Sequence, residues 1–354
     1  MKKTIVIAFI IGLFGIVSTS LADCCKIGID KRPSSTPLEP PTNSIPDITI
    51  PDGEEISPVP IPGGGGNDTD DFTGELGLFR EPRQHALVAW NGKEQMLFLT
   101  TNEQSVVGSR PMISMMPLPG APIVIKESDK DIIKRAYNLV QKKILEHPDH
   151  GNIGGILDVV YTTEIGVHKI FVWKIDNVET LRNDINQFIA KTYGKEYSAL
   201  ISKEGYAVIK QYIDRGFQYF AFDLVKVDGR AEKSKVTILY HYKSNFAYYP
   251  VAISQVGGTG ITSIVLTMIS PAGFNKIGVS LGGMDADTLS KVRQGGVDVD
   301  LSLGDLRTID PSLANLFANA GKAKARIFEF TGNIDGKNKN NLPGLNKDVI
   351  LYSE

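Results

Sequence analysis

Periodic runs of apolar residues mark most of the chain from Phe72 onward, whereas the Pro-rich stretch ahead of it has no amphipathic period. Ala86–Trp90 and Met96–Thr100 are short apolar runs on either side of Asn91-Gly92, the strongest short-range hairpin signal a sequence can carry. Ile132, Ile133, Ala136, Leu139, Val140 and Ile144 fall on one face at helical spacing, with Ser128 and Asp131 as a start signal and Pro148 as a stop. Ile156–Thr162 and Lys169–Ile175 read as paired strands about Gly166. A second helical stripe (Leu181, Ile185, Phe188, Ile189) follows a capping pattern at Asp176 and Glu179 and ends at Gly194. A third helix, Glu204–Arg215, carries Tyr206, Ile209 and Ile213 and stops at Gly216. Strands are expected over Phe217–Val227, Val236–Tyr242, Tyr248–Ser254 and Ile261–Ile269. A short helix over Ser312–Ala320 and strands over Ala325–Thr331 and Asp348–Tyr352 complete the pattern. Grouped helices and consecutive strands predict an α+β fold with a largely antiparallel sheet or sheets and about four helices.

The N-terminal end reads differently. Lys2 and Lys3 precede an apolar stretch from Ile5 to Val17, and Ser20-Leu21-Ala22 places small residues at −3 and −1 of a cut between Ala22 and Asp23. This is the arrangement of a secretory signal peptide over 1–22, too short to be a stable membrane span. The expected location is therefore outside the cytoplasm: periplasm, cell surface or secreted. Cys24 and Cys25 follow the cut, as a disulfide, an anchor point or free thiols; Asp23 stands where a lipid-anchor signal wants Ala, Gly or Ser. Nine prolines then crowd Pro33–Pro62, followed by Gly63–Gly66 and an Asp-rich run. Such composition favours extended, solvated backbone, so 23–71 reads as a Cys-bearing terminus and disordered linker before a single domain over 72–354.

Composition narrows the function classes without choosing one. The chain has 354 residues, 38 Lys+Arg against 40 Asp+Glu, and 42% hydrophobic residues, enough to build a sizeable core. A net charge of −2 with no basic stripe argues against nucleic acid as the partner. Two cysteines can make neither a disulfide scaffold nor a four-thiolate metal site.

Each chemical candidate has an ordinary structural reading beside it. Gly278-Val279-Ser280-Leu281-Gly282 matches a hydrolase nucleophile elbow, but all five histidines (His85, His147, His150, His168, His241) precede Ser280, so no base can follow it in the required order. It reads as a Gly-rich turn. His147 and His150, with Glu146 and Asp149, offer metal ligands, although Pro148 prevents one helix from aligning them. Tyr240, Tyr242, Tyr248 and Tyr249, together with Phe246, form either a ligand-binding aromatic platform or packed sheet core. Met112, Met115 and Met116 read as core filling rather than an adaptable contact patch. Asp285, Asp287, Asp298, Asp300 and Asp305 cluster near the C-terminus without a ligand spacing, and the Gly257–Gly260 run reads as a turn. No catalytic set and no cofactor-binding motif emerges.

Several landmarks nevertheless occur in a familiar order. Glu81-Pro82-Arg83-Gln84-His85-Ala86-Leu87-Val88-Ala89-Trp90-Asn91-Gly92, followed by Met96–Thr100, resembles the opening of a family of exported bacterial and archaeal proteins of unknown function, and Met116-Pro117-Leu118-Pro119 with Pro122 resembles its Pro-Leu-Pro segment before the first helix. Gly205-Tyr206, Tyr212-Ile213-Asp214-Arg215-Gly216-Phe217, Phe246 through Pro250 and Lys347-Asp348-Val349-Ile350-Leu351 resemble its later segments. The resemblance spans about 75–354 and implies an export-dependent envelope domain; it carries no catalytic or binding residue with it. Together these readings predict a non-enzymatic envelope or cell-surface binding module on a Pro-rich tether, with an unidentified envelope protein or polymer as partner. The membrane would be met only through the signal peptide or an N-terminal anchor. The alternative is an enzyme acting on envelope polymers near His147, His150 and the 240–249 aromatics.

Overall fold

The alternation along Arg83–Trp90 divides one strand between two cores: Leu87 and Ala89 pack on one side, Ala86, Val88 and Trp90 on the other. This division organises the protein in the computed structural model, which describes residues 25–31, 79–80, 83–101, 104–105, 110–146, 169–175, 177–227, 236–257, 260–285, 293–294, 297–339 and 342–353.

In chain order the elements begin with strands β1 (Cys25–Lys31), β2 (Phe79–Arg80), β3 (Arg83–Trp90), β4 (Glu94–Thr101), β5 (Gln104–Ser105), β6 (Arg110–Leu118) and β7 (Pro122–Ser128). Helix α1 (Ile132–Leu145), β8 (Lys169–Lys174), α2 (Val178–Tyr193), β9 (Tyr197–Ala199) and α3 (Lys203–Asp214) follow. Next come β10 (Tyr219–Val227), β11 (Val236–Lys243), β12 (Ala247–Tyr249), β13 (Ile261–Ser270), β14 (Lys276–Ile277), β15 (Arg293–Gln294) and β16 (Val299–Ser302). Helices α4 (Leu303–Ile309) and α5 (Pro311–Leu316) and strands β17 (Lys322–Asn333) and β18 (Val349–Tyr352) close the chain.

An eight-stranded sheet runs β15-β17-β13-β3-β4-β11-β7, with β16 also on β17; every pairing in it is antiparallel except β3 with β13. A five-stranded sheet, β8-β10-β6-β1-β9, and a small sheet, β12-β18-β14, complete the body beside a short β2-β5 ribbon. The fold is thus α+β and mostly antiparallel, as the sequence predicts. On one face of the large sheet, α1, α4 and α5 bury Ile132, Ile133, Ala136, Val140, Leu306, Leu313 and Phe317 against Leu87, Phe98 and Ile327. Its other face packs toward the remaining sheets, α2 and α3.

The Asn-Gly hairpin forms as expected, with Ala86 opposite Leu99 and Trp90 opposite Gln95. Asn91 Oδ1 accepts the Lys93 and Glu94 amides, and Gly92 adopts φ +97°. Helix α2 starts one residue after the expected cap position, with the Asn177 side chain accepting from the Glu179 amide. At α1 the Ser128–Asp131 signal makes no side-chain cap; Asp129 Oδ1 accepts the Asp131 amide instead.

Three departures matter. The stretch rich in proline at 111–122 holds a central strand, β6, because Met112, Ile113, Met115, Met116 and Leu118 are all buried there. The strand expected over Tyr248–Ser254 stops at Tyr249 and turns into a 3-10 segment, Ala252–Val256. Cys25–Lys31, which composition places within the linker 23–71, is a strand between β6 and β9 with Ile27 and Ile29 in the core. The expected strand at Ile156–Thr162 and the signal peptide lie outside the described residues.

Helix α4 was not legible as a helix, but its start is a full capping box: Ser302 Oγ accepts the Asp305 amide and the Asp305 carboxylate accepts the Ser302 amide. Those hydrogen bonds, and Lys143 at 3.1 Å, outweigh the desolvation that pushes the Asp305 carboxyl up, holding it below the usual carboxylate value. Asp305→Ala should therefore cost about 0.5–2 kcal/mol in urea unfolding at pH 7. Because the folded value is depressed, the contribution is present above the unfolded pKa and fades as pH falls below about 4. Equal stability of wild type and variant at pH 7 would refute the cap.

Candidate functional site

The motifs that the sequence shows only in order meet in space around Asp348. Its carboxylate is fully buried at the start of β18. Asp348 Oδ1 accepts the Tyr212 hydroxyl at 2.6 Å and the Val251 and Ala252 amides at 2.9 Å each. Asp348 Oδ2 accepts Arg215 Nη2 at 3.0 Å. Four donors thus converge from the end of α3 and from the start of the 3-10 segment, which explains why the strand after Tyr249 gives way: Asp348 caps the turn that replaces it.

Burial pushes the Asp348 carboxyl above its ordinary value, while Arg215, the Tyr212 hydroxyl and the Ala252 amide pull the other way. Tyr212 and Tyr248 are fully buried, and burial beside this carboxylate raises both well above the usual phenol value. Neither can serve as a base near neutral pH. Arg215 is the only member of this set that reaches the surface, with its side chain 20% exposed. Its guanidinium lies 4.3 Å over the Tyr212 ring and 5.2 Å from the Phe217 ring centre, a geometry for cation–π attraction.

Arg215 also reaches outward. Its Nη1 donates to the carbonyls of Leu281 at 3.1 Å and Gly282 at 3.5 Å, holding the segment Gly278–Gly283. The segment is fixed from beneath as well: Gly278 N donates to Ile350 O and Met284 N to Asp348 O. Gly282 sits at φ +81°, and a Cβ there would come within 2.6 Å of Arg215 Nη1, so glycine is needed for both reasons. The outcome is a braced turn that presents Val279 (47% exposed), Ser280 and Leu281 (37% exposed) to solvent. It is a 3-10 turn leading into a bridge, not the strand-turn-helix of a nucleophile elbow, in line with the reading of these residues as a turn.

The aromatic candidates have another role. Tyr240, Tyr242, Tyr248 and Tyr249 are all at most 5% exposed, so they form no open platform for a ligand. Their burial follows from position: β11 is an inner strand and β12 lies against the large sheet. Tyr249 donates to Gln84 Oε1 at 2.7 Å, and the Gln95 side chain pairs with both the amide and the carbonyl of Tyr248. Met112, Met115 and Met116 are buried in the core. His147, His150, Ala22, Asp23 and Cys24 lie outside the described residues; Cys25 opens β1, opposite Met115. Among the described residues no group of three metal-ligating side chains occurs, and no helix is long and apolar enough to cross a membrane. Of the acidic residues, Asp298 pairs with Arg326, Asp285 with Lys347 and Asp300 with Lys324.

Sequence reasoning singled out Tyr212, Arg215, Phe217 and Asp348 only as landmarks, and Tyr248 as a platform aromatic, because 136 residues separate Tyr212 from Asp348. Gln95, which ties β4 to β12, carried no signal of its own.

Compared with known proteins, the chain matches no family model and no curated protein. Among solved structures it is similar to baculovirus P35, at 9% identity and a TM-score of 0.37, over 76% of this chain and 95% of that one. A mutated baculovirus P35 after caspase cleavage gives 11% identity and a TM-score of 0.36, over 76% and 97%. The caspase-8/P35 complex gives 11% and 0.34, over 79% of this chain and 98% of that one. Likeness at this level carries no functional argument.

Proposed function

We propose that this protein is an exported, non-enzymatic interaction module of the cell envelope or surface, and that the braced turn Gly278–Gly283 is its contact face. The observation that carries the reading is the division of labour at Arg215. Its inward bond satisfies Asp348, while its outward bonds hold a turn whose apolar side chains are left in water. Exposed apolar residues on a rigid support are what a protein interface uses, since little ordering entropy remains to be lost on binding. The polar groups beneath are committed to one another and so act as scaffold.

The test is Val279→Lys with Leu281→Lys in the exported chain. Both positions are exposed, so the melting temperature should stay within about 2 °C, in keeping with surface substitutions worth roughly 0.5 kcal/mol each. Retention in the native envelope fraction should fall at least fivefold. Wild-type retention in a folded double variant would sink the proposal.

A further inference from the structure

β1 fills a slot that owes nothing to its neighbours in sequence. The slot is made by β6, which pairs with Cys25–Gly28, and by β9, which pairs with Ile29–Lys31, with the 3-10 segment Ala252–Val256 beside it. Ile27 and Ile29 are the core side chains it brings, at 0% and 2% exposure. The connection from Lys31 to β2 then covers the 47 residues 32–78, including all nine prolines of Pro33–Pro62. A connection of that many residues has a contour of up to roughly 160 Å, so its length alone does not confine the strand to its own body. A domain of this size has a radius of gyration of only about 19 Å. The strand is therefore chosen for the slot by its ladder and two isoleucines, and β1 of any other copy carries the same features within reach.

We infer that the β6–β9 slot is a strand-acceptor site and that its second occupant is β1 of another copy of this chain. Reciprocal exchange closes a dimer; head-to-tail exchange leaves a free strand and a free slot at the two ends and extends the assembly. Because the tether supplies its own strand at an effective concentration on the order of millimolar, exchange is a high-concentration state, as at a crowded surface. This inference is independent of the contact face on Gly278–Gly283.

The native Cys25 stands opposite Met115 in the register, so Met115→Cys reports which copy occupies the slot. The chain from Asp23 with Met115→Cys and Cys24→Ser is made in heavy- and light-isotope forms, mixed, unfolded, refolded at about 1 µM or about 500 µM, and oxidised. Mass spectrometry then reads the peptides linking 25 to 115. Heavy-to-light linked peptides should be near absent at about 1 µM and exceed a tenth of the total at about 500 µM, given a tether concentration on the order of millimolar. Only heavy–heavy and light–light links at both concentrations would overturn the inference. Should Met115→Cys prevent folding, Gly28→Cys with Met112→Cys, in a background with Cys24 and Cys25 replaced by Ser, asks the same question at the far end of the same ladder.

Discussion

Asp348→Ala is expected to destabilise the protein by about 3–5 kcal/mol, the cost of breaking a buried ion pair by removing one partner. The substitution leaves the Arg215 guanidinium without its carboxylate and strands the Tyr212 hydroxyl and the Val251 and Ala252 amides in a dry interior. At roughly 2 °C per kcal/mol for a domain of this size, the melting temperature should fall by about 6–10 °C. Asp348→Asn keeps an acceptor for Tyr212 and the amides and loses mainly the charge-assisted bond to Arg215, so its cost should be nearer 1.5–3 kcal/mol. Thermal and urea unfolding of the two variants give the comparison. A loss below about 1 kcal/mol for Asp348→Ala would mean that the carboxylate does not organise this region.

Ile27→Ala should cost about 2–5 kcal/mol, as for other truncations of fully buried aliphatic side chains. The prediction is sharp because the composition around Ile27 reads as linker, where the same change would lie within about 0.5 kcal/mol of neutral. The loss has two sources: the transfer energy of the removed carbons, and a hole beside Ile113, its register partner on β6. The urea midpoint should shift with little change in slope, since the strand belongs to the same cooperative unit. A midpoint that does not move would put β1 outside the folded body.

Elements were legible where local signals agreed. The Asn-Gly turn, the helical stripe from Ile132 to Ile144, the apolar run in β13 and the alternation in β17 each point to the structure that forms. β1 did have a signal, Ile27 and Ile29 two residues apart, but seven residues beside a Pro-rich run are too few to separate a strand from linker. Helix α4 is only seven residues long, and a Ser302–Asp305 pair within a cluster of acids does not single out a capping box. The aromatics at 240–249 were ambiguous for a different reason: period-two spacing puts Tyr240 and Tyr242 on one face of their strand, and only sheet order says that the face is buried. The Asp348 cluster could not be assembled at all from spacing, since it is made by tertiary contact between α3, the 3-10 segment and the last strand. What was readable was the succession of the motifs that build it.

The proposed contact face depends on Arg215 as its brace. A photo-crosslinking amino acid placed at Ser280 tests this in the native envelope, with wild-type Arg215 and with Arg215→Gln. An adduct with an envelope component should form in the first case and fall at least tenfold in the second, with both chains exported and folded. An equal yield from Arg215→Gln, or no adduct from Ser280 when the same probe at exposed Lys322 gives one, would contradict it.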